Sequence, residues 1–215
     1  MLKKYLRHEK GITGLETAII LIAFVVVAAV FAYTALSAGL FSTQKGQEAV
    51  YAGLKEARST IELRGAVIAT APAVGATANI SQLSFTIASV LGGEAIDFTP
   101  PDAAGSATGI ASGTANKVII NYVDQDQTVN NLYWSVTKLG KDDGDYLLET
   151  DEKFQVNVGG SSSTAAPGNL LNALNASYLL GVNKTFSLVV VTPVGAILEI
   201  ERTSPPYMDL VMNLR

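Results

Sequence analysis

The chain of 215 residues contains no cysteine, and its one histidine, His8, lies among the first ten residues. Without cysteine the protein forms no disulfide and offers no thiolate ligand, whatever compartment it occupies. Beyond His8 it also lacks imidazole, so it has neither the common nucleophile–base pairs nor the preferred ligands of zinc. These absences argue against most hydrolytic and zinc-dependent chemistry, and we expect no enzymatic activity and no metal site.

Charge is absent from one long stretch, because the 28 residues from 17 to 44 carry no formal charge. A helix of that length would be about 42 Å long, whereas the hydrocarbon core of a bilayer is about 30 Å thick. Before it comes a short basic segment containing Lys3, Lys4, Arg7 and Lys10. The stretch is therefore long enough to span a membrane, with a basic flank of the kind that stays in the cytoplasm.

Three fates of this apolar stretch are compatible with its residues. An ordinary secretory signal would be cut behind it, where residues 35–38 offer small side chains. An uncleaved anchor would stay in the membrane. A cut between Gly11 and Ile12 would instead remove only the basic leader and leave the apolar helix on the mature chain.

The remaining composition is that of a folded, acidic protein. Apolar residues make up 48% of the chain and the mean hydropathy is +0.30, which excludes general disorder. The formal charge is −4, and removing the +3 of residues 1–11 leaves −7 for residues 12–215. An acidic body argues against binding to a nucleic-acid backbone, which needs clustered Lys and Arg.

Periodicity predicts one long helix over residues 12–69. No proline interrupts residues 12–71, and Thr13 and Glu16 have the spacing of a capping box. Beyond Lys45 the apolar residues recur at helical spacing on one face. They are Val50, Leu54, Ala57, Ile61 and Ile68. We therefore divide the chain into a leader (1–11), an N-terminal helix (12–69) and an outer domain (70–215).

The outer domain has strand composition interrupted by turn residues, which predicts an α+β protein whose long hydrophobic helix precedes an antiparallel, immunoglobulin-like β-sandwich. Two low-complexity loops, residues 100–116 and 159–169, interrupt it. Residues 192–195 are predicted to form the turn of a C-terminal hairpin. The seven predicted strands cover residues 84–90, 94–99, 117–123, 133–138, 153–158, 186–192 and 196–202.

The N-terminal region resembles the archaeal flagellins (archaellins), whose leader and first helix are similar to those of type IV pilins. The resemblance rests on Lys10-Gly-Ile-Thr-Gly-Leu-Glu16 and the apolar run up to Phe31. It continues in short matches at residues 43–45 and 53–57, and returns in patches between 147 and 154 and between 193 and 203. Residues 70–116 and 159–183 carry no family-specific motif.

This resemblance implies a function and several roles. A membrane-bound prepilin-type peptidase would cut after Gly11, so Ile12 would become the first residue and Glu16 the fifth. In the pilin pattern the fifth-position carboxylate meets the free amine of a neighbouring subunit. The chain would anchor its precursor in the membrane, then assemble as a homo-oligomeric helical filament at the cell surface, with the archaellum assembly and motor machinery as partners in swimming.

Other interpretations stay open at this point. Glu16 could simply be a solvated carboxylate in the first turn of its helix, and the helix could be a permanent anchor. An adhesive archaeal type IV-like pilus would use the same processing and core. A membrane-anchored extracytoplasmic binding domain or hydrolase would need a carboxylate pair, for which Glu149, Asp151 and Glu152 are the candidates.

Three sequons place candidate N-glycosylation sites at Asn79, Asn175 and Asn183. Archaellins commonly carry N-glycans, so the resemblance implies that at least one of these sites is used. Two acidic stretches, residues 124–126 and 142–145, resemble fragments of calcium loops but lack the full spacing with a distal Glu. We interpret them as acidic hairpin turns, with a structural calcium ion as the alternative, and expect no other cofactor.

Overall fold

The computed structural model describes residues 9–58, 60–90, 94–102, 108–159, 170–193 and 195–214, and, within the first range, the side chains of residues 14–54. The chain forms two compact units, Met1–Gly53 and Leu54–Arg215. The first contains most of one long helix. In the second, regular secondary structure among the described residues is mostly β-strand.

Helix α1 runs without interruption from Glu9 to Arg58. Its backbone is already helical before Thr13, so Thr13 and Glu16 do not form the predicted N-terminal cap. The predicted end at residue 69 is also wrong. Ile61 and Ile68 fit a helical repeat, but both lie in strands, and between them Gly65 adopts a φ of 88° that a helix cannot contain. The two residues are compatible with a helical repeat and with a strand, and only their packing in the β-domain makes them strand residues.

After α1, the described residues of the second unit form twelve strands and one short helix. All seven predicted strands are present, within a few residues of their predicted ends. Five shorter strands were not predicted: β1, β2, β6, β8 and β12. In chain order the elements are β1 Ile61–Leu63, β2 Val67–Thr70, β3 Gln82–Ser89, β4 Ile96–Asp97, β5 Ile119–Asp124, β6 Thr128–Val129, β7 Trp134–Gly140, β8 Leu147–Leu148, β9 Glu152–Gly159, α2 Leu170–Ala173, β10 Thr185–Val191, β11 Ile197–Thr203 and β12 Val211–Leu214.

The strands form two main sheets in which every pairing is antiparallel. The larger sheet has the order β12-β2-β3-β9-β7, and β1 pairs with the far end of β3. The smaller has the order β11-β10-β5-β6, while β4 and β8 form a separate two-stranded ribbon. In the smaller sheet Val191 of β10 lies opposite both Ile197 of β11 and Ile119 of β5.

Side chains from both sheets share one hydrophobic core. The larger sheet contributes residues such as Phe85, Trp134 and Phe154, and the smaller contributes Tyr122 and Phe186, all at most 1% exposed. The predicted fold is thus confirmed: a long apolar helix is followed in sequence by a domain of two antiparallel sheets. Each Phe, Leu, Ile, Val or Met side chain contributes about 1.5–3 kcal/mol on full burial, so this shared core is the main source of the domain's stability.

Candidate functional site

Helix α1 is apolar on every face, and its apolar side chains are exposed. Successive residues of an α-helix point about 100° apart, so a run of adjacent residues covers the whole circumference. In α1 this run is Ile19–Ile22 followed by Phe24–Val27, with every side chain at least 54% exposed. A helix apolar all round is stable only when it is buried on all sides. This surface therefore needs lipid, or other helices, around it.

Two threonine hydroxyl groups in the middle of α1 are hydrogen-bonded to the helix backbone. Thr34 Oγ1 donates to the Phe31 carbonyl at 2.9 Å. Thr43 Oγ1 lies 3.0 Å from the Gly39 carbonyl and 2.9 Å from that of Leu40. A hydroxyl bonded to its own helix backbone needs no water, which allows it to enter an apolar environment at little cost.

The segment Gly14–Leu54 is long and apolar enough to cross a membrane, and its most apolar stretch of 18 residues has a mean hydropathy of 2.8. Its only charged residues are Glu16, Lys45 and Glu48. Lys45 Nζ and Glu48 Oε2 form an ion pair at 2.6 Å across one turn, with both side chains exposed. Glu16 is therefore the single formally charged side chain in the first thirty residues of this segment, on the exposed surface of the helix.

The three sequon asparagines differ in exposure. Asn175 is exposed, and its Oδ1 accepts the backbone N–H of Ser177 at 2.9 Å, so the sequon forms an Asx turn. Asn183 is also exposed, at a φ of 54° in the turn before β10. Asn79 is half-buried, and a Cβ placed on Gly181 would lie 3.2 Å from its Oδ1.

A polar cluster holds the Asn175 loop against the turn between β5 and β6. The Gln127 side chain accepts the Asn175 N–H at 2.9 Å and donates to the Tyr178 carbonyl at 2.8 Å. Lys184 Nζ binds Asp126 Oδ2 at 3.0 Å beside this contact. The Gln127 side-chain amide thus holds the sequon in place with one accepted and one donated hydrogen bond. The sequence did not suggest this role for Gln127.

The first acidic stretch, residues 124–126, is a hairpin turn. Asp124 Oδ1 accepts the backbone N–H groups of Asp126 and Gln127 at 2.7 and 2.8 Å, and its Oδ2 accepts the Tyr122 hydroxyl at 2.8 Å. Burial alone would raise the pKa of Asp124, but these hydrogen bonds to the charged form lower it overall. Burial, with help from the Asp124 carboxylate, raises the pKa of Tyr122.

The other carboxylates singled out by sequence also bind nearby backbone. Asp143 Oδ1 accepts the Asp145 N–H, and Asp145 Oδ1 accepts the Leu147 N–H at 2.7 Å. Glu152 is 6% exposed and its Oε2 accepts the Glu149 N–H at 3.0 Å, which closes the turn before β9. Of the three hydrolase candidates, Glu149 and Asp151 are exposed, whereas Glu152 is buried. The three residues lie at the turn before β9 and do not form a common site.

An apolar helix of this length, joined to a self-contained antiparallel β-domain, defines the class of membrane-anchored or filament-forming subunits. The family model for archaeal-type flagellin matches residues 11–202. "Probable flagellin 1" of Archaeoglobus fulgidus is 35% identical over 98% of both chains. The chain therefore belongs to the archaeal-type flagellin family, which confirms the resemblance seen in its N-terminal motif.

Solved structures agree with this assignment. The archaeal flagellum of Methanospirillum hungatei strain JF1 matches with a TM-score of 0.61 and 26% identity, covering 94% of this chain and 98% of that one. Archaeal flagellin FlaB1 from Methanocaldococcus jannaschii matches with a TM-score of 0.51 over 73% of this chain and 96% of that one. At 13% identity the second match supports the fold alone.

Proposed function

We propose that this chain is a structural subunit of an archaeal flagellum filament on the cell surface and serves swimming motility. The observation that carries the proposal is the exposure of apolar side chains on every face of α1, in a chain of the flagellin family. A helix of this kind packs among copies of itself, and the β-domains form the outer layer. The family assignment favours the flagellum over an adhesive pilus, and a structural subunit needs no catalytic site.

Deleting the gene tests this function. The expected result is loss of filaments by electron microscopy and loss of swimming in soft agar, both restored by the wild-type gene on a plasmid. Retained filaments with lost adhesion to surfaces would contradict the proposal and favour the pilus alternative.

The same helix serves the precursor before assembly. Gly14–Leu54 can hold the chain in a membrane, and the basic residues before Gly11 favour a cytoplasmic N-terminus. A prepilin-type peptidase then cuts between Gly11 and Ile12, and the assembly machinery at the base of the filament takes up the mature subunit. Edman sequencing of subunits from sheared filaments should begin at Ile12, and Gly11→Val should leave uncleaved precursor in the membrane. A start at Met1 or after Ala38 would overturn this processing.

Glu16 and the new amine of Ile12 then form an ion pair between neighbouring subunits. A carboxylate that enters an apolar core needs a partner of opposite charge. Since the rest of residues 14–44 is uncharged, the α-amino group created by cleavage is the cation that lies nearest to Glu16 along the mature chain.

N-glycans on the outer domain complete the proposal. Exposure favours Asn175 and Asn183 as acceptors over half-buried Asn79. Intact-mass spectrometry of filament subunits should show a glycan mass that decreases with Asn175→Gln or Asn183→Gln and is unchanged by Asn79→Gln. Dependence on Asn79 alone would contradict this order.

A further inference from the structure

The three sequons differ in how much of their three-residue pattern is accessible in the folded domain. An enzyme that modifies Asn-x-Ser/Thr must reach the third residue as well as the asparagine, since the pattern is defined by both. The exposure of the asparagine alone therefore does not decide whether a folded chain can be modified. The whole segment has to be open.

The Asn175 sequon is open throughout. Residues 175–178 are all exposed, in the loop that follows α2. Its hydrogen bonds are local, because Asn175 Oδ1 accepts the Ser177 N–H at 2.9 Å and the Asn175 carbonyl accepts the Tyr178 N–H at 2.8 Å. The Asx turn engages Oδ1 and not Nδ2, which is the atom that would carry a sugar.

The Asn183 sequon, in contrast, is bonded to the segment that follows β11. The Asn183 N–H donates to the Pro205 carbonyl at 3.3 Å. The Lys184 N–H donates to Ser204 Oγ at 2.8 Å, and the Lys184 carbonyl accepts the Ser204 N–H at 2.9 Å. Ser204 is itself 2% exposed. The first two residues of this sequon are therefore held by main-chain hydrogen bonds to a buried part of the domain.

The third residue of the same sequon belongs to a strand. Thr185 is the first residue of β10 and is half-buried. It lies opposite Thr203 of β11, and the two hydroxyl oxygens are 2.9 Å apart. An enzyme that binds Thr185 must separate the start of β10 from β11. The exposed side chain of Asn183 is thus not sufficient for recognition.

The remaining sequon is closed by burial. Asn79 is half-buried, and its third residue, Ser81, is fully buried, with its Oγ donating to the Thr70 carbonyl at 3.1 Å. Reaching Ser81 would require local opening of the domain. Of the three sequons, all of which lie in the described part of the chain, Asn175 is the one that is open from its first residue to its third.

We infer that an oligosaccharyltransferase can use Asn175 on the folded β-domain, whereas Asn183 accepts a glycan only before β10 pairs with β11. The inference rests on the proposed function, because it concerns the N-glycans proposed above. Enzymes that act on a folded chain gain access at exposed loops, while a segment within a sheet must first open locally. Modification of Asn175 can therefore follow the folding of the membrane-held precursor.

The reaction joins Asn175 Nδ2 to the anomeric carbon of a sugar that is carried on a lipid phosphate. The bond between that carbon and the phosphate oxygen breaks, and the lipid phosphate leaves with the bonding electron pair. The amide nitrogen loses one proton to a base of the enzyme, so nothing is oxidised or reduced. The acceptor loop has to enter the enzyme's active site, which the exposure of residues 175–178 allows.

The test uses the unglycosylated full chain, purified in detergent from cells that lack the oligosaccharyltransferase. Thr185→Val removes one sequon, keeps a β-branched residue at the start of β10 and leaves Asn175 as the acceptor. Ser177→Ala is the matched variant, which leaves Asn183. The fluorescence of Trp134 checks that both chains are folded.

Each folded chain is incubated with membranes that contain the transferase and its lipid-linked glycan. A short peptide spanning each sequon serves as the unfolded reference. Mass spectrometry follows transfer to the tryptic fragment 154–184, which carries both of these asparagines and excludes the sequon at Asn79.

The expected result is transfer to Asn175 in the folded Thr185→Val chain at a rate close to that of its peptide. Transfer to Asn183 in the folded Ser177→Ala chain should be at least about tenfold slower than to its own peptide, because the start of β10 must open first. Slow transfer to both folded chains, or equal rates at Asn183 in chain and peptide, would overturn the inference. A peptide that is not modified would overturn it as well, since that sequon would then be rejected in any conformation.

These outcomes are separate from those of the proposed function. If subunits from wild-type filaments are glycosylated but the folded chain is not modified at Asn175, only the proposed order of folding and glycosylation is wrong. If those subunits carry no glycan, the proposed glycosylation is wrong and this inference with it, while the gene deletion still decides whether the chain forms a swimming filament.

Discussion

At the scale of single residues, Glu16 decides how the apolar helix can be used. It is the only side chain in residues 14–44 that carries a formal charge, so its partner determines whether it can be buried. Two unit charges about 4 Å apart attract by roughly 4 kcal/mol at an effective dielectric near 20, before desolvation is subtracted. A carboxylate that only favours its own helix dipole contributes about 0.3–1 kcal/mol.

We predict that Glu16→Gln is cleaved normally but assembles poorly, since the amide keeps the size of the side chain and loses its charge. Electron microscopy counts filaments, and an immunoblot of the same cells measures cleaved subunit. Glu48→Gln, which breaks the exposed ion pair with Lys45, is the matched control and should assemble like wild type. Cleaved Glu16→Gln protein with normal filament numbers would leave Glu16 with a role in its own helix only.

Position 159 requires glycine for two reasons: a positive φ and a close approach to neighbouring backbone. Its φ is 91°, and a Cβ at this position would lie 2.5 Å from the Ser81 carbonyl oxygen. Gly140, at a φ of 83°, has nothing within 4 Å of the same position. A positive φ strains any L-residue, but only Gly159 adds a backbone clash where β9 ends.

We expect Gly140→Ala to lower the free energy of unfolding by about 1 kcal/mol from the backbone alone. Gly159→Ala should lower it by about 3 kcal/mol or more, because a local shift must also relieve the clash. Urea titrations of the β-domain, followed by the fluorescence of Trp134, measure both values. Equal losses for the two variants would mean that the Ser81 segment moves away freely.

At the scale of elements, α1 and the β-strands differ in where their apolar side chains are buried. The strands bury one face in their own core, whereas α1 leaves all of its apolar faces for other molecules. The cost of a charge in α1 should therefore appear in assembly and not in the folding of the β-domain.

We predict that Val26→Asp abolishes filaments, because an unpaired charge costs about 3–5 kcal/mol in a packed interior and about 3 kcal/mol at the centre of a membrane. Gln47→Asp places the same charge on the same helix between Lys45 and Glu48 and should assemble normally. Negative-stain microscopy of sheared material compares them. Normal filaments from Val26→Asp would contradict burial of this face among helices.

At the scale of the whole molecule, the β-domain begins earlier than the periodicity of the sequence indicates. Ile61, Val67 and Ala69 are at most 4% exposed within the β-domain core, and β2 holds β12 in the larger sheet. A fragment starting at residue 60 therefore contains every strand, while one starting at residue 71 loses β1 and β2 and leaves β12 without its neighbour.

We expect the fragment 60–215 to be a soluble monomer that unfolds cooperatively. The fragment 71–215 should be less stable by at least about 3 kcal/mol, from the lost burial of Ile61 and Val67 alone. Size-exclusion chromatography and urea titration of the two fragments measure this directly. Identical midpoints would show that β1 and β2 are dispensable for the domain.

The sequence determined the elements that carry their own periodicity. A charge-free run of 28 residues can only be a helix in apolar surroundings, and alternation in segments such as Phe154–Val158 specifies a strand with one buried face. The cleavage proposed between Gly11 and Ile12 and the pairing proposed for Glu16 likewise rest on sequence alone, because a leader motif is local in sequence. For the same reason the family could be inferred before any fold was described.

Tertiary structure decided everything that depends on distant partners. Ile61 and Ile68 fit a helical repeat, and only pairing with β3 and β12 makes them strand residues. Most strands of two to four residues carry too little pattern to be recognised, and β12, one of those missed, forms an end of the larger sheet. The hydrogen bond between the Asn175 N–H and the Gln127 side chain could not be predicted either, because the two residues are 48 positions apart in sequence. Contacts of this kind are set by the packing of the whole β-domain, which no local stretch of sequence encodes.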